Sequence, residues 1–253
     1  MLLLLLSLAF FLPPGAEAGE IIGGHEAKPH SRPYMAYLQI WSSDQRLRMC
    51  GGFLIRKDFV MTAAHCLKGA TNKTINVTLG AHNVKQQEQT QQVIPVRRAI
   101  PHPNYDSDRH SSDIMLLQLK KEAKLSKAVM PLKLPRRNSQ VKPGKVCSVA
   151  GWGKMGPKNP FSDVLREVNM TVQEDQECES PPLGKYYIST SEICVGDPKI
   201  YKASFGGDSG GPLVCDNVAK GIIAYGKDNG RPPQVFTKIS SFLRWIKKTM
   251  KSH

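Results

Sequence analysis

Three short stretches carry residue types that together can break an acyl bond. "VMTAAHC" (60–66) closes on His65 and Cys66. "SSDIMLLQL" (111–119) sets Asp113 at the mouth of an apolar run. "SFGGDSGGPLVC" (204–215) surrounds Ser209 with four glycines just before another apolar run. A serine hydroxyl is a weak nucleophile at neutral pH. It needs an adjacent base, and that base needs a group to hold its tautomer and direction. Histidine and aspartate supply those two parts. Taken singly, each of the three is more often structural, and a glycine-rich serine segment also fits a plain surface loop. Glycine reaches backbone angles that other residues avoid and lets a second backbone approach closely, so it suits a site that must aim amides at a ligand.

The rest of the chain has to position these groups. Short apolar runs recur between Gly, Pro, Asn and Asp signals: "YMAYLQI" (34–40), "GGFLI" (51–55), "TINVTL" (74–79), "IMLLQL" (114–119), "VCSVAGW" (146–152), "GPLVC" (211–215) and "KGIIAYG" (220–226). That spacing predicts an all-β sandwich or barrel. With 253 residues, of which 40% are hydrophobic, one large β domain or two small ones can bury a core. No repeat of 20–50 residues is visible. One helix is predicted at the end, over "SSFLRWIKKTMK". Ser240 or Ser241 would cap it, Phe242, Leu243, Trp245, Ile246, Thr249 and Met250 would form its stripe, and Lys247, Lys248 and Lys251 would suit its negative end. Packing against the body is the first reading of that helix and a membrane-surface role the second.

Residues 2–12, "LLLLLSLAFFL", form an apolar run too short to span a bilayer, and Ala16-Glu17-Ala18 then offers a small-x-small cleavage site. Residues 1–18 therefore read as a signal peptide, although the basic start is missing, and no other run is long enough to span. Secretion makes the six cysteines, Cys50, Cys66, Cys147, Cys178, Cys194 and Cys215, a disulfide set. Six cysteines allow fifteen pairings, and spacing alone does not choose among them. Asn72, Asn76 and Asn169 begin N-glycosylation tripeptides, the first two too close for both to be fully occupied. Net charge is +14, and removal of Glu17 and Glu20 with the leader raises it by two, to +16. Such a chain is attracted to polyanions, and for a secreted protein sulfated glycans are the expected partners. No nucleic-acid-reading motif is present. The seven histidines show no ligand spacing, so neither metal nor cofactor is expected.

From Ile21 onward the chain resembles the chymotrypsin-fold serine proteases. His, Asp and Ser follow in that family's order. "IIGGHEAKPHSRPYMAYLQI", "VTLGAHNV", "HPNYD" and "PLVC…GIIAYG" are similar to the granule proteases of lymphocytes and mast cells, the granzyme, cathepsin G and chymase group. The resemblance implies two six-stranded antiparallel β-barrels, about 21–133 and 134–253, with the active site between them. It implies that His65 is general base and acid, that Asp113 orients it, that Ser209 attacks, and that the amides of Gly207 and Ser209 form the oxyanion hole. It implies a two-residue propeptide, Gly19-Glu20, removed by a granule dipeptidyl peptidase so that the freed ammonium of Ile21 pairs with Asp208. It implies the bridges Cys50–Cys66, Cys147–Cys215 and Cys178–Cys194, serpin-type inhibitors, and storage in secretory or cytolytic granules with release to the exterior; a monomer is the default expectation, which the sequence does not decide.

Two departures bear on activity and specificity. Ala224-Tyr225-Gly226 stands where relatives read Ser-Tyr-Gly, and that serine helps to hold the catalytic aspartate. The aspartate-selective granzyme has an arginine in its pocket where this chain has Gln234, and Arg231 is placed on the rim. The expected pocket has Ala203 at its floor and Ala224, Tyr225, Gly226 and Gln234 around it, with Gly206 leaving the mouth open. A neutral pocket of this kind is expected to take a large apolar residue rather than Asp, Lys or Arg before the scissile bond. The competing class is a catalytically weak cationic granule protein that acts by binding glycans or microbial surfaces. The intact His65, Asp113 and Ser209 favour the endopeptidase.

Overall fold

The computed structural model describes residues 21–43, 47–68, 73–137 and 139–252. Six strands form a closed antiparallel barrel: β2 (Met35–Trp41), β3 (Leu47–Arg56), β4 (Phe59–Thr62), β5 (Thr74–Leu79), β6 (Gln92–Pro101) and β7 (Met115–Leu119), in the order β2-β3-β4-β7-β6-β5. Strand β2 shows the alternation that drives this. Leu38 and Ile40 are buried while Tyr37 and Gln39 are only half-covered. Strands β4 and β7 are buried along their whole length. Closure leaves no free edge on this barrel.

The second sheet has seven strands in the order β1-β9-β8-β11-β12-β13-β10. They are β1 (His25–Glu26), β8 (Val146–Gly151), β9 (Arg166–Thr171), β10 (Glu192–Val195), β11 (Pro212–Cys215), β12 (Val218–Gly226) and β13 (Gln234–Lys238). The first and last of the six strands from β9 to β10 meet through a bridge between Val172 and Val195, flanked by the bonds Gln173 N–H to Cys194 O and Gly196 N–H to Thr171 O, at 2.9 and 2.8 Å. The expected second barrel is thus a sheet whose ends are stitched by a few bonds rather than by a full ladder.

The two halves are laced together. The N-terminal residues 25–26 pair with β9 of the second sheet, and the C-terminal helix returns to the first barrel. That helix, α2 (Leu243–Ser252), follows a tight 3₁₀ turn at Ile239–Phe242. Phe242, Leu243 and Ile246 join the apolar cluster of the first barrel, and Arg56 donates to the Met250 carbonyl at 2.8 Å near the helix end. Trp245 and Met250, half-buried, also pack against that cluster, so the apolar stripe faces the body of the protein, as the first reading expected. Ser240 and Ser241 lie inside the 3₁₀ turn rather than capping α2, and the Ser241 hydroxyl donates instead to Thr190 O at 2.9 Å. A five-residue helix, α1 (Asp175–Glu179), carries Cys178. Among the described residues no helix is long and apolar enough to cross a membrane.

All six cysteines are paired, as Cys50–Cys66, Cys147–Cys215 and Cys178–Cys194. The first and third each span 16 residues, loops for which the chain-entropy model gives about 3 kcal/mol apiece. Asn169 is exposed on β9, whereas Asn76 is half-buried within β5, between Gln39 and Pro95. Asn72 and the leader with its dipeptide lie outside the described residues.

Candidate active site

His65 sits in a 3₁₀ turn, Ala64–Leu67, directly after β4. The neighbouring Cys66 ties this turn to β3 through Cys50. Asp113, 2% exposed, reaches the turn from the segment before β7 and binds it twice. Its Oδ1 accepts the His65 backbone N–H at 2.8 Å, and its Oδ2 lies 2.6 Å from the ring Nδ1. The first bond fixes the position of the histidine backbone. The second fixes the ring's direction and keeps the proton on Nδ1, which turns Nε2 outward as an acceptor. The segment around Asp113 is strained: His110 and Ser112 both adopt positive φ, 54° and 53°, a region that non-glycine residues enter only when their surroundings hold them there. One such hold is Thr237 of β13, whose hydroxyl donates to the Asp113 carbonyl at 2.9 Å. Thr237 thereby anchors the aspartate from the opposite half of the molecule.

Ser209 lies in the loop before β11. Gly51 of β3 donates to its carbonyl at 2.8 Å, and Gly210 N–H bonds to Ile223 O of β12 at 3.0 Å. Each half of the molecule therefore grips one side of the serine. Gly207 has φ +105°, and a Cβ there would fall 2.7 Å from the Phe161 ring and 3.0 Å from Gly153 Cα, so only glycine fits. This conformation frees the amides. Among the described residues neither Gly207 N–H nor Ser209 N–H has an internal acceptor. Both residues, with His65, line one cavity of about 550 Å³. Two unspent donors beside a serine and a histidine can hold an oxyanion.

Asp208, between them, is fully buried. Its oxygens accept the N–H groups of Gly153 at 2.7 Å and Phe205 at 3.0 Å. Gly151 and Gly153 stand so close that a Cβ on either would strike the carboxylate, at 2.1 and 2.5 Å. Burial pushes this carboxyl up to about 6, against the pull of the two amides. Ile21 is also fully buried, in the apolar cluster of the second sheet. The adjoining Ile22 carbonyl accepts the Ala203 N–H at 3.0 Å, five residues before Asp208.

A second cavity, about 260 Å³, opens beside Ser209. It is lined by Ser204, Phe205, Gly206, Ile223, Ala224, Tyr225, Gly226, Lys227, Asp228 and Gln234. Of the expected pocket residues, Ala224, Tyr225, Gly226 and Gln234 are present. Ala203 does not line this cavity: it is fully buried. The reason is Gln234, whose amide clamps Ser204. Its Oε1 accepts from the Ser204 N–H and hydroxyl, both at 2.9 Å, and its Nε2 donates to the Ser204 carbonyl at 2.8 Å. The Nε2 lies 3.0 Å from where a Cβ of Gly226 would be, so the amide reaches across the pocket and makes its floor together with Ser204. The buried lining is neutral, and the charged residues 227 and 228 are half-covered and exposed. Arg231 is exposed, with its guanidinium over Tyr201 at 5.8 Å.

Sequence reasoning missed Thr237, Ser204, Phe161 and the buried Glu192. Each is an ordinary residue in a strand or loop and becomes significant only through partners distant in sequence. Ser204 had a faint signal, since it directly precedes the glycine-rich run.

Comparison with known proteins agrees with this geometry. The trypsin family model matches residues 21–246. This chain belongs to the trypsin family of serine proteases. Granzyme B of Rattus norvegicus and granzyme B of Homo sapiens are each 64% identical to it over 251 residues, covering 99% of both chains. Human granzyme H is 59% identical, covering 98% of both. A solved structure titled "Structure of GrC" superposes with a TM-score of 0.86 at 56% identity, covering 91% of this chain and all of the other. The protein is thus a serine protease, and its closed barrel, second sheet and terminal helix are those of the family fold.

Proposed function

We propose that Ser209 is the nucleophile of this endopeptidase, with His65 and Asp113 as its base and orienting group. The observation that carries this is the double lock of Asp113 on His65, beside a cavity lined by Gly207 and Ser209, whose amides have no internal acceptor among the described residues. His65 Nε2 takes the Ser209 proton as Oγ attacks the scissile carbonyl. The amides of Gly207 and Ser209 stabilise the oxyanion, His65 returns the proton to the leaving amine, and water completes the cycle by the same route. Asp113 keeps the imidazolium in place without taking the proton.

Asp208 is the switch. A fully buried carboxylate needs a cation, and the ammonium of Ile21 supplies it once Gly19-Glu20 is removed by a dipeptidyl peptidase. The charge pair then fixes the 205–209 loop and with it the amides of the oxyanion hole. The neutral floor of Ser204 and Gln234 selects a large apolar residue before the scissile bond. Lys or Arg there would be buried without a partner, at a cost of several kcal/mol. The basic surface holds the enzyme on sulfated glycan in a secretory granule, serpin-type inhibitors limit it after release, and it acts as a monomer.

The test is peptide hydrolysis by protein that starts at Ile21, compared with protein that keeps the dipeptide. The first should be active and the second nearly inert, and Ser209→Ala should lose on the order of 10⁶ in turnover. Equal activity with and without the dipeptide refutes the switch.

A further inference from the structure

Glu192 is a carboxyl group in a β-strand core. It is 2% exposed on β10, paired in register with Thr237 of β13. Among the described residues it forms no ion pair. Its Oε2 instead accepts two bonds, from the Ile188 N–H at 2.7 Å and from the Tyr225 hydroxyl at 3.1 Å. Both donors belong to cavity walls. Tyr225 lines the pocket beside Ser209. Ile188, with His110, Tyr186 and Tyr187, lines a larger cavity of about 820 Å³. An aromatic row joins the two: the Tyr225 and His110 rings lie 5.0 Å apart, and His110 meets Tyr186 edge-on at 5.1 Å. One buried carboxylate therefore tethers Tyr225 at one end of the row and the Ile188 amide, two residues beyond Tyr186, at the other cavity.

We infer that Glu192 is a positioning residue: by holding Tyr225 and Ile188 it sets the wall that receives the substrate residues N-terminal to the scissile bond. It touches neither substrate nor the reacting atoms. The inference rests on the catalytic reading above.

The groups facing Glu192 decide its charge. They are Tyr225 from β12, Tyr187 and the Ile188 amide from the 186–188 turn, Lys238 from β13, Asp175 from α1 and Asp113 from the segment before β7. Lys238 spends its ammonium on the Ser189 carbonyl at 2.9 Å. Burial, and to a lesser degree the charge of Asp113, push Glu192 up to about 7, against the two bonds it accepts. Tyr225 and Tyr187 are themselves raised by burial and by the nearby carboxylates, so they remain protonated donors and the mobile proton is that of Glu192. An ionised carboxylate accepts charge-assisted bonds that a neutral acid does not match. The wall is firm above neutral pH and slack below it.

The experiment uses protein starting at Ile21, with active sites counted by fluorophosphonate titration. It compares a four-residue peptide anilide with a single-residue ester carrying the same P1 side chain, from pH 5.5 to 8.5. His65 affects both substrates, so their kcat/KM ratio isolates the wall. In the wild type this long-to-short ratio should fall about tenfold on acidification through pH 7, expressed in KM, the size expected for losing one charge-assisted bond. Glu192→Gln, held in the neutral state, should show the low ratio at every pH. Tyr225→Phe should raise KM for the long substrate comparably at pH 8, with no further rise in the double variant. A Glu192→Gln ratio equal to wild type at pH 8, or one that still titrates, overturns the inference. Should that variant not fold, an unchanged ratio in Tyr225→Phe overturns it equally. Failure of the wild type to label overturns the catalytic reading and this inference with it.

Discussion

Gln234→Ala tests the account of the pocket. The side chain is 7% exposed and makes three hydrogen bonds to Ser204, at 2.8 to 2.9 Å. At about 1 kcal/mol net for each bond the loss is about 3 kcal/mol. The pocket opens to solvent, so water entering the vacated space can satisfy part of Ser204, which leaves about 2 kcal/mol. For a chain of this length 1 kcal/mol corresponds to about 2–4 °C, so the melting temperature should fall by about 4–8 °C. Removing the amide also removes the floor, and the pocket deepens toward Ala203. Side chains one or two carbons longer then gain about 1–3 kcal/mol. On a diverse peptide pool, cleavage after Phe and Tyr should rise about tenfold relative to cleavage after Leu and Met. An unchanged melting temperature together with an unchanged profile would refute the clamp and the floor it makes.

Thr237→Val removes the donor to the buried Asp113 carbonyl. It should cost about 1–3 kcal/mol in urea unfolding and lower kcat a few-fold with KM unchanged; a larger effect on KM than on kcat would contradict the anchoring role. Glu192 is raised from 4.5 to about 7 in the folded protein. Its contribution to stability is therefore fully present below pH 4.5 and lost as pH rises through 7, about 3 kcal/mol in all. Urea midpoints measured across that window should show this loss in the wild type and not in Glu192→Gln, and the same slope in both would sink the assignment. Gln234→Arg supplies a cation at the pocket floor and should raise cleavage after Asp relative to Leu; a profile without that gain would show that residue 234 does not face the P1 side chain. The mature chain should leave heparin resin only at salt well above physiological strength, because many screened contacts act together; elution in ordinary saline would end the storage proposal.

Much of this architecture was legible in the sequence where burial leaves an apolar run. The segments 74–79 and 114–119 became β5 and β7 almost to the residue, and 220–226 lies within β12. Strand β6 escaped notice because only Ile94 of its ten residues is buried, while four are half-buried and five face solvent. Its sequence QVIPVRRAIP has two prolines and two arginines and no continuous apolar run. Its place is fixed by pairing with β5 and β7, which no local pattern reveals. Residues His65, Asp113 and Ser209 stood out because each lies in a distinctive segment. The pocket floor did not, because it depends on how the Gln234 side chain folds back onto Ser204, 30 residues earlier. Glu192 was invisible for a similar reason: a lone glutamate before "ICV" reads as a solvated strand end, and only the tertiary fold buries it.

The central claim is that Ser209 is an activated nucleophile whose reactivity depends on a free amine at Ile21. The most direct measurement is mass spectrometry of the adduct formed with a fluorophosphonate probe, on protein starting at Ile21 and on protein starting at Gly19. The account predicts a single adduct on Ser209 in the first, formed at least a hundredfold faster than in the second, roughly the effect of one misplaced oxyanion donor. No adduct at Ser209 in the first, or equal labelling rates in the two, would contradict it.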